Sequence, residues 1–147
     1  NIEEQGKLIA LFNESIPNQE TLYIGRFHYL HHSAIGKALL AEMSQERVDE
    51  IISEQGLPQM TPNTITTRES FFEELKRIRD RGYAINDEEF KTGLRTVGAA
   101  AKDEDGSPFG GFCIAGPSYR LTDEMVHEEL PNLLFEAIER LTRGAHE

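Results

Sequence analysis

The chain has 147 residues, a length typical of one domain, and 38% of them are hydrophobic, with no apolar run near the roughly 20 residues that a membrane helix needs. Asp and Glu outnumber Lys and Arg by 26 to 15, and the net charge of −11 argues against direct contact with nucleic acid or a membrane surface. The single cysteine, Cys113, cannot form an internal disulfide, and the first residues do not resemble a signal peptide, so we expect a cytoplasmic protein.

The first part of the chain predicts two strands followed by a helix. Residues 7–11 (KLIAL) and 21–27 (TLYIGRF) have the apolar and aromatic content of strands, with a polar connection between them. Ser33 is a suitable N-cap for the helix that follows, because its hydroxyl can accept a hydrogen bond from a free backbone N–H. Apolar residues at 35 and at 38–40 give that helix a face to bury.

Two more helices are predicted before the next strand. One begins at Ser44 and ends at Gly56, because glycine readily adopts the left-handed conformation that closes many helices. The other follows a capping box at residues 66–69 (TTRE), in which a threonine and a glutamate each satisfy a backbone N–H. Its apolar face carries two phenylalanines, and Gly82 ends it.

The rest of the chain predicts three strands and a final helix. Residues 83–86, 94–101 and 109–115 are strand-like, and the turn at 103–106 joins the last two into a hairpin. The final helix contains Pro131, which should produce a kink because proline has no backbone N–H. Hairpin-linked strands with separate helices indicate an α+β fold with a mainly antiparallel sheet, as in sensor domains of the GAF or PAS type.

Two groups of reactive side chains could carry chemistry. His28, His31 and His32 have a spacing that could present two imidazoles to a metal ion, as in a metal sensor or a metal-dependent enzyme. A further ligand could come from Cys113 or Asp87. The alternative is structural: one imidazole bonds a backbone carbonyl at the helix start and the other faces water. Cys113 lies in an apolar strand run, where a thiol usually behaves as a small hydrophobe rather than a nucleophile.

Signatures of several enzyme classes are missing from the sequence. It contains no P-loop, no G-x-G-x-x-G, no H-E-x-x-H and no G-x-S-x-G. We therefore expect neither an enzyme nor a bound cofactor.

Small residues are concentrated in the predicted hairpin. Strand alternation places Gly111, Cys113 and Ala115 on one face, and Thr96 and Gly98 share a face of the partner strand. Glycines in strands often mark a close approach by a ligand or by another backbone. The small side chains therefore predict a hollow that a helix could cover to form a ligand pocket. In the alternative, a phenylalanine of the third helix fills the space.

Four segments occur in a characteristic order: residues 30–41 (LHHSAIGKALLA), 61–66 (TPNTIT), 75–100 (LKRIRDRGYAINDEEFKTGLRTVGAA) and 111–122 (GFCIAGPSYRLT). Together they resemble the C-terminal effector-binding domain of IclR-type transcriptional regulators. The resemblance implies a GAF-like sensor fold that binds a small organic effector, a carboxylate or an aromatic metabolite.

The resemblance also implies the partners of the domain. In the family it is fused to an N-terminal winged helix-turn-helix that binds operator DNA as a dimer or tetramer. We expect residues 1–147 to form a single effector-binding domain without that DNA-binding half. Such a chain would associate with itself and would reach operator DNA only through the missing N-terminal domain.

The effector pocket of the family maps onto the start of the first helix, the end of the predicted strand at 83–86, and the two predicted strands at 94–101 and 109–115. The matching residues are Ser33, Ala34, Ile35, Asn86, Asp87, Thr96, Cys113 and Ala115. Some members carry two serines and an aspartate where this chain has Cys113, Ala115 and Asn86. We therefore predict a more apolar pocket with fewer hydroxyl donors and one negative charge fewer.

Overall fold

The computed structural model describes residues 2–4, 7–9 and 27–145. It confirms an α+β fold. Within these ranges a 3-10 turn, Leu30–His32, precedes the first helix and a π turn, Met125–Glu129, precedes the last. In chain order, the strands and helices are β1 (Ile2–Glu4), β2 (Lys7–Ile9), β3 (Phe27–Tyr29), α1 (Ala34–Ala41), α2 (Gln45–Gln55), α3 (Arg68–Arg81), β4 (Ala84–Asp87), β5 (Leu94–Lys102), β6 (Pro108–Pro117) and α4 (Leu130–Ala145).

The strands form two antiparallel sheets, in the orders β1-β2-β3 and β4-β5-β6. The predicted hairpin is confirmed as β5 and β6, joined by a turn in which the Asp103 carboxylate accepts hydrogen bonds from the backbone N–H groups of Asp105 and Ser107. The predicted strand at 7–11 corresponds to β2, whereas β1 was not predicted. Most of the predicted strand at 21–27 lies outside the described residues, and β3 begins at its last residue.

The helix ends follow the sequence signals with one correction. The Ser33 hydroxyl caps α1, and Gly82 ends α3 with a φ of +90°. The N-cap of α3 is Thr67, so the capping box predicted from Thr66 was wrong by one residue. Thr67 has an extended backbone, and its hydroxyl accepts a hydrogen bond from the Ser70 N–H at 3.3 Å.

The predicted kink near Pro131 takes the form of the π turn that precedes it. The Leu130 N–H bonds to the Met125 carbonyl, five residues earlier. In a regular helix the N–H of residue 131 would donate to the His127 carbonyl, but proline has none. The Tyr83 hydroxyl donates to that carbonyl at 3.1 Å.

The β4-β5-β6 sheet is covered by helices on both faces. Val97 and Ala99 point towards α4, where they pack with Leu134 in one core cluster. Gly98 and Gly111 point towards α1 on the opposite face. No helix in the described ranges is long and apolar enough to span a membrane.

Candidate functional site

The first turn of α1 lies directly on the small residues of β5 and β6. A Cβ added at Gly98 would stand 2.9 Å from the Ala34 carbonyl carbon and 3.0 Å from the Ile35 nitrogen, so this approach requires a glycine. A Cβ at Gly111 would stand 2.8 Å from Cγ2 of Ile35. Gly98 therefore marks the close approach of another backbone, one of the two explanations that the sequence allowed, whereas Gly111 makes room for the Ile35 side chain.

The hollow predicted along these strands is filled at two points. Ala34 occupies the space beside Gly98, and the Ile35 side chain occupies the space beside Gly111. Phe71 of α3, the alternative filler, packs instead in the core cluster formed with α1 and α2. The predicted hollow was too large, because the small strand residues make room for the first turn of α1 rather than for a ligand at these two points.

Three of the predicted site residues form one row across the sheet. The strand register places Asn86 opposite Thr96, and Thr96 opposite Ala115. Residues two apart on a strand share a face, so the row lies next to Gly98 on the side covered by α1. Asn86 and Thr96 are buried, and Ala115 is partly exposed. The structure thus brings the row together with the first turn of α1.

The N-terminus of α1 adds backbone donors beside this row. The Gly36 N–H donates to the Ser33 hydroxyl at 2.9 Å, and the Lys37 N–H donates to the Ser33 carbonyl at 2.9 Å. The N–H groups of Ala34 and Ile35 come too early in the helix to have an acceptor within it. Such free N–H groups attract anions. Ser33 itself acts as the helix cap beside them.

Two predicted residues have different surroundings. Asp87 follows Asn86 on β4 and therefore points to the opposite face, where its carboxylate lies 3.1 Å from Nε of Arg95. The structure does not bring Asp87 to the other site residues. Cys113 lies opposite Gly98, one row along from Thr96. Burial raises the pKa of its thiol to about 11, so the thiol stays protonated at neutral pH and is a poor nucleophile.

The histidines have structural partners. Nε2 of His31 lies 2.9 Å from the Pro58 carbonyl. The structural alternative correctly predicted a backbone carbonyl as its partner, but this carbonyl lies in the loop after α2 and not at the start of the helix. His32 is buried and stacks on Phe90 at 5.2 Å, so the prediction that the second imidazole faces water was wrong. The side chain of His28 lies outside the described part. In that described part, no group of three or more His, Cys, Asp or Glu residues is placed to hold a metal ion.

Lys37 was not among the predicted site residues, and its side chain is fully buried. Its Nζ donates to Oε2 of Glu74 at 3.0 Å, to the Ile85 carbonyl at 2.6 Å, and to both carboxylate oxygens of Glu89 at 2.9 and 3.1 Å. The available signal was a lysine inside the otherwise apolar segment AIGKALLA. Its partners come from α3, β4 and the loop after β4.

The charge on Glu74 is maintained by its neighbours. Burial raises the pKa of its carboxyl. The Lys37 ammonium, with smaller contributions from Arg77 and Arg81, lowers the pKa by more than burial raises it, so the net shift is downward. Glu74 is therefore ionised at neutral pH and forms a genuine ion pair with Lys37.

The loop after β4 fixes the orientation of Asn86. Its Oδ1 accepts a hydrogen bond from the Glu89 N–H at 2.8 Å, and its Nδ2 donates to the His32 carbonyl at 2.8 Å. Because one partner is a backbone donor and the other a backbone acceptor, the two ends of the amide are assigned without ambiguity. The hydroxyls of Thr61 and Thr64 donate to carbonyls of the same loop and hold it against the segment before α3.

Comparison with known proteins identifies the family. The family described as "Bacterial transcriptional regulator IclR C-terminal" matches residues 11–143. The chain belongs to the IclR family. This confirms the resemblance drawn from the four sequence segments, and it places the domain among transcriptional regulators rather than enzymes.

Curated relatives of this IclR-family domain are named as repressors. The transcriptional repressor IclR of Escherichia coli K12 is 39% identical over 99 residues, which are 67% of this chain and 36% of the repressor. The acetate operon repressor of Salmonella typhimurium is 35% identical over 113 residues, which are 77% of this chain and 41% of the relative. The chain therefore spans less than half the length of these relatives.

Solved structures agree with the fold. IclR of Thermotoga maritima has a TM-score of 0.78 and 34% identity, over 89% of this chain and 52% of that one. The inducer-binding domain of PobR from Acinetobacter, in complex with 3-hydroxybenzoic acid, has a TM-score of 0.85 and 21% identity, over 95% of this chain and 83% of that one. At that identity the PobR likeness concerns the fold alone.

Proposed function

We propose that this IclR-family domain senses a small organic acid, bound between the first turn of α1 and the row formed by Asn86, Thr96 and Ala115. The observation that carries the proposal is the position of the donors. The backbone N–H groups of Ala34 and Ile35, the Thr96 hydroxyl and the Asn86 amide belong to the same side of the sheet. A carboxylate accepts hydrogen bonds from donors of this kind and is favoured by a helix N-terminus.

The charges around the site support an anionic effector. Asp87, the carboxylate nearest in sequence to the row, faces the opposite side of the sheet and pairs with Arg95. Cys113, Ala115 and the Ile35 side chain add apolar surface, which suits a small aliphatic or aromatic body. The acid in the PobR complex is a compound of this kind, and we include it among the candidates.

A thermal-shift comparison of acids with their amides tests the proposal. Glyoxylate, pyruvate, benzoate and 3-hydroxybenzoate are each compared with the corresponding neutral amide at equal concentration. An acid present at about 100 times its Kd should add about 2.7 kcal/mol of stability, and its amide much less. Thr96→Val should abolish the shift. Thr66→Val, the same change at an exposed threonine, is the matched control.

Two outcomes would contradict this function. One is that no acid in the panel stabilises the wild-type protein more than its amide does. The other is that the Thr96 and Thr66 variants respond alike, which would place the binding site away from the row.

We further propose that the domain self-associates and acts on operator DNA through a domain outside this chain. The action on operator DNA is supported by the names of the relatives and by the small share of their length that this chain covers.

Self-association is supported by Leu133 and Leu141, because both are more than half exposed and lie two turns apart on α4. Light scattering at high micromolar concentration should detect an oligomer that Leu133→Glu with Leu141→Glu dissociates. A wild-type monomer would contradict self-association.

A further inference from the structure

The contacts of Lys37 close a ring with the start of α1. The ammonium binds the Glu89 carboxylate, and the Glu89 N–H donates to Oδ1 of Asn86. Nδ2 of Asn86 donates to the His32 carbonyl, and His32 precedes Lys37 by five residues in the chain. The residues between them carry the N-cap and the first turn of α1, so the ring frames one edge of the proposed effector site.

The ring determines which end of the Asn86 amide lies beside the helix. Oδ1 points to the loop after β4, and Nδ2 points to the residue just before the cap of α1. Nδ2 carries two hydrogens, and the bond to the His32 carbonyl uses one of them. Asn86 can therefore offer a donor to a ligand at the first turn of α1, next to the backbone donors of that turn.

We propose that Lys37 is a positioning residue for effector recognition: it holds Glu89, and through Glu89 it orients the Asn86 amide so that the site presents a donor to an acidic effector. This inference rests on the proposed function, because the orientation of Asn86 affects recognition only if the site binds an acid. Lys37 does not touch the effector itself. Its role is the specificity of the site for a carboxylate over a neutral amide.

The charge balance explains why the orientation depends on Lys37. The side chains of Glu74 and Glu89 are only 12% and 7% exposed, and both contact the one ammonium. Without it, Glu74 would keep its ion pair with Arg77. Among the described residues, the Glu89 carboxylate would keep only the hydrogen bond from the Asp87 N–H. The two poorly solvated carboxylates would then repel each other, because buried like charges repel strongly. Glu89 is the more easily displaced of the two, because it belongs to a loop whereas Glu74 belongs to α3. Displacement of Glu89 would remove the N–H that holds Oδ1 of Asn86.

The first test needs no ligand. Hydrogen exchange is measured by NMR on the unliganded protein for the Glu89 N–H, the Asn86 side-chain amide and the Val97 N–H in β5. In Lys37→Met, the protection of the first two should fall roughly tenfold more than that of Val97, which reports global stability. Arg68→Met, which removes an exposed ion pair with Asp49, is the matched control and should show no selective loss.

A merely structural role of Lys37 predicts a different pattern. Protection would then fall by the same factor at all three sites, and that result would overturn the proposal. If Lys37→Met does not fold, Glu89→Gln provides the test, because it keeps the shape of the side chain and removes the charge that Lys37 holds. In that variant, a loss of protection at the Asn86 amide that exceeds the loss at Val97 supports the proposal. Protection that is unchanged, or that falls by the same factor at all three sites, overturns it.

The second test measures specificity with pyruvate and pyruvamide as probes. In the wild type, pyruvate should bind more tightly than pyruvamide. The Kd of pyruvamide divided by the Kd of pyruvate should fall roughly tenfold in Lys37→Met. Asn86→Ala should produce the same fall, and the double variant should show no further fall because both changes remove one donor. Additive effects would overturn the proposal. If pyruvate does not bind the wild type, the proposed function fails for this acid, while the exchange experiment still decides the role of Lys37.

Discussion

The two faces of the β4-β5-β6 sheet are packed in different ways. On the α4 side, large apolar side chains meet across the interface, and Val97, Val126 and Leu134 are almost completely buried. On the α1 side, Gly98 leaves room for the backbone of Ala34 and Ile35, and Gly111 leaves room for the Ile35 side chain. Side chains therefore set the spacing on the α4 face, whereas on the α1 face main-chain atoms set it at Gly98.

This difference has a consequence for function. Side chains can change rotamer when a neighbour changes, but two backbones in contact cannot move apart without shifting a whole element. For the effector site that we propose, this packing would hold the N–H groups of the first turn of α1 at fixed positions on the same side of the sheet as Thr96 and Asn86, and preorganised donors favour the binding of a small ligand. The α4 face has a stabilising role that should be separable from binding.

Leu134→Ala should cause the largest loss of stability. Leu134 is 2% exposed in the α4 interface, so its truncation leaves a cavity and should cost about 2–5 kcal/mol. Urea denaturation measures the loss. The affinity for an acidic effector, measured where the variant is folded, should stay unchanged, and a parallel loss of affinity would contradict the separation of the two faces.

Gly98→Ala should have the next largest effect, about 1–3 kcal/mol, because the new methyl group meets the backbone of Ala34 and Ile35. In an open strand the same change would stabilise the protein by roughly 0.5–1 kcal/mol. Gly111→Ala is the comparison: the new methyl group would meet Cγ2 of Ile35 at 2.8 Å and the Ala99 carbonyl oxygen of the adjacent strand at 3.0 Å. It should cost less, because no backbone atom of α1 is among its nearest neighbours and a side-chain methyl can shift more easily than a helix backbone. Denaturation curves of both variants check the order, and the reverse order would contradict backbone contact as the cause.

Ala115→Leu should separate an open part of the α1 face from a packed one. Ala115 is partly exposed at the end of the row with Thr96, so added methylenes should cost less than about 1 kcal/mol while abolishing the thermal shift by an acid. A cost of about 1–3 kcal/mol in a denaturation curve would instead indicate that this point is already packed, and would count against the proposed site.

The pH dependence of stability should show the smallest of these effects. Burial of His31 lowers its pKa below the ordinary 6.5, which outweighs its hydrogen bond to Pro58, and Lys37 lowers it further. The unfolded chain therefore binds the proton more readily, and stability should fall as the pH drops below 6.5. His31→Gln should flatten this slope in urea titrations between about pH 5 and 7. His127→Gln, at an exposed site, should not, and equal slopes in all three proteins would contradict the assignment.

Most of the secondary structure could be predicted because its signals are local. Ser33 and Gly82 mark helix ends through hydrogen bonds and backbone conformations that involve only neighbouring residues. The predicted cap of α3 was wrong by one position, because two adjacent threonines carry the same signal and Thr67 is the one that caps the helix. Pro131 predicted a disturbance of the last helix, but its form as a π turn depends on contacts from elsewhere.

The site could be predicted only in part, because its geometry depends on distant contacts. Alternation correctly placed Thr96 and Ala115 on one face, and adjacent positions on β4 separate Asn86 from Asp87. The partners of Lys37 lie 37 and 52 residues away in the sequence, so nothing near it indicated an ion-pair network. Small residues also left two interpretations open, and only the position of α1 decides between a cavity and a close helix.

The contact between Tyr83 and His127 has an evolutionary consequence. The Tyr83 hydroxyl donates a hydrogen bond to the His127 carbonyl, to which Pro131 cannot donate, although positions 83 and 131 are far apart in the chain. A lineage that replaces the proline regains the local donor and is then free to lose the hydroxyl. A lineage that keeps the proline is expected to retain a tyrosine at 83. The two positions should therefore change together when descendants of this sequence are compared.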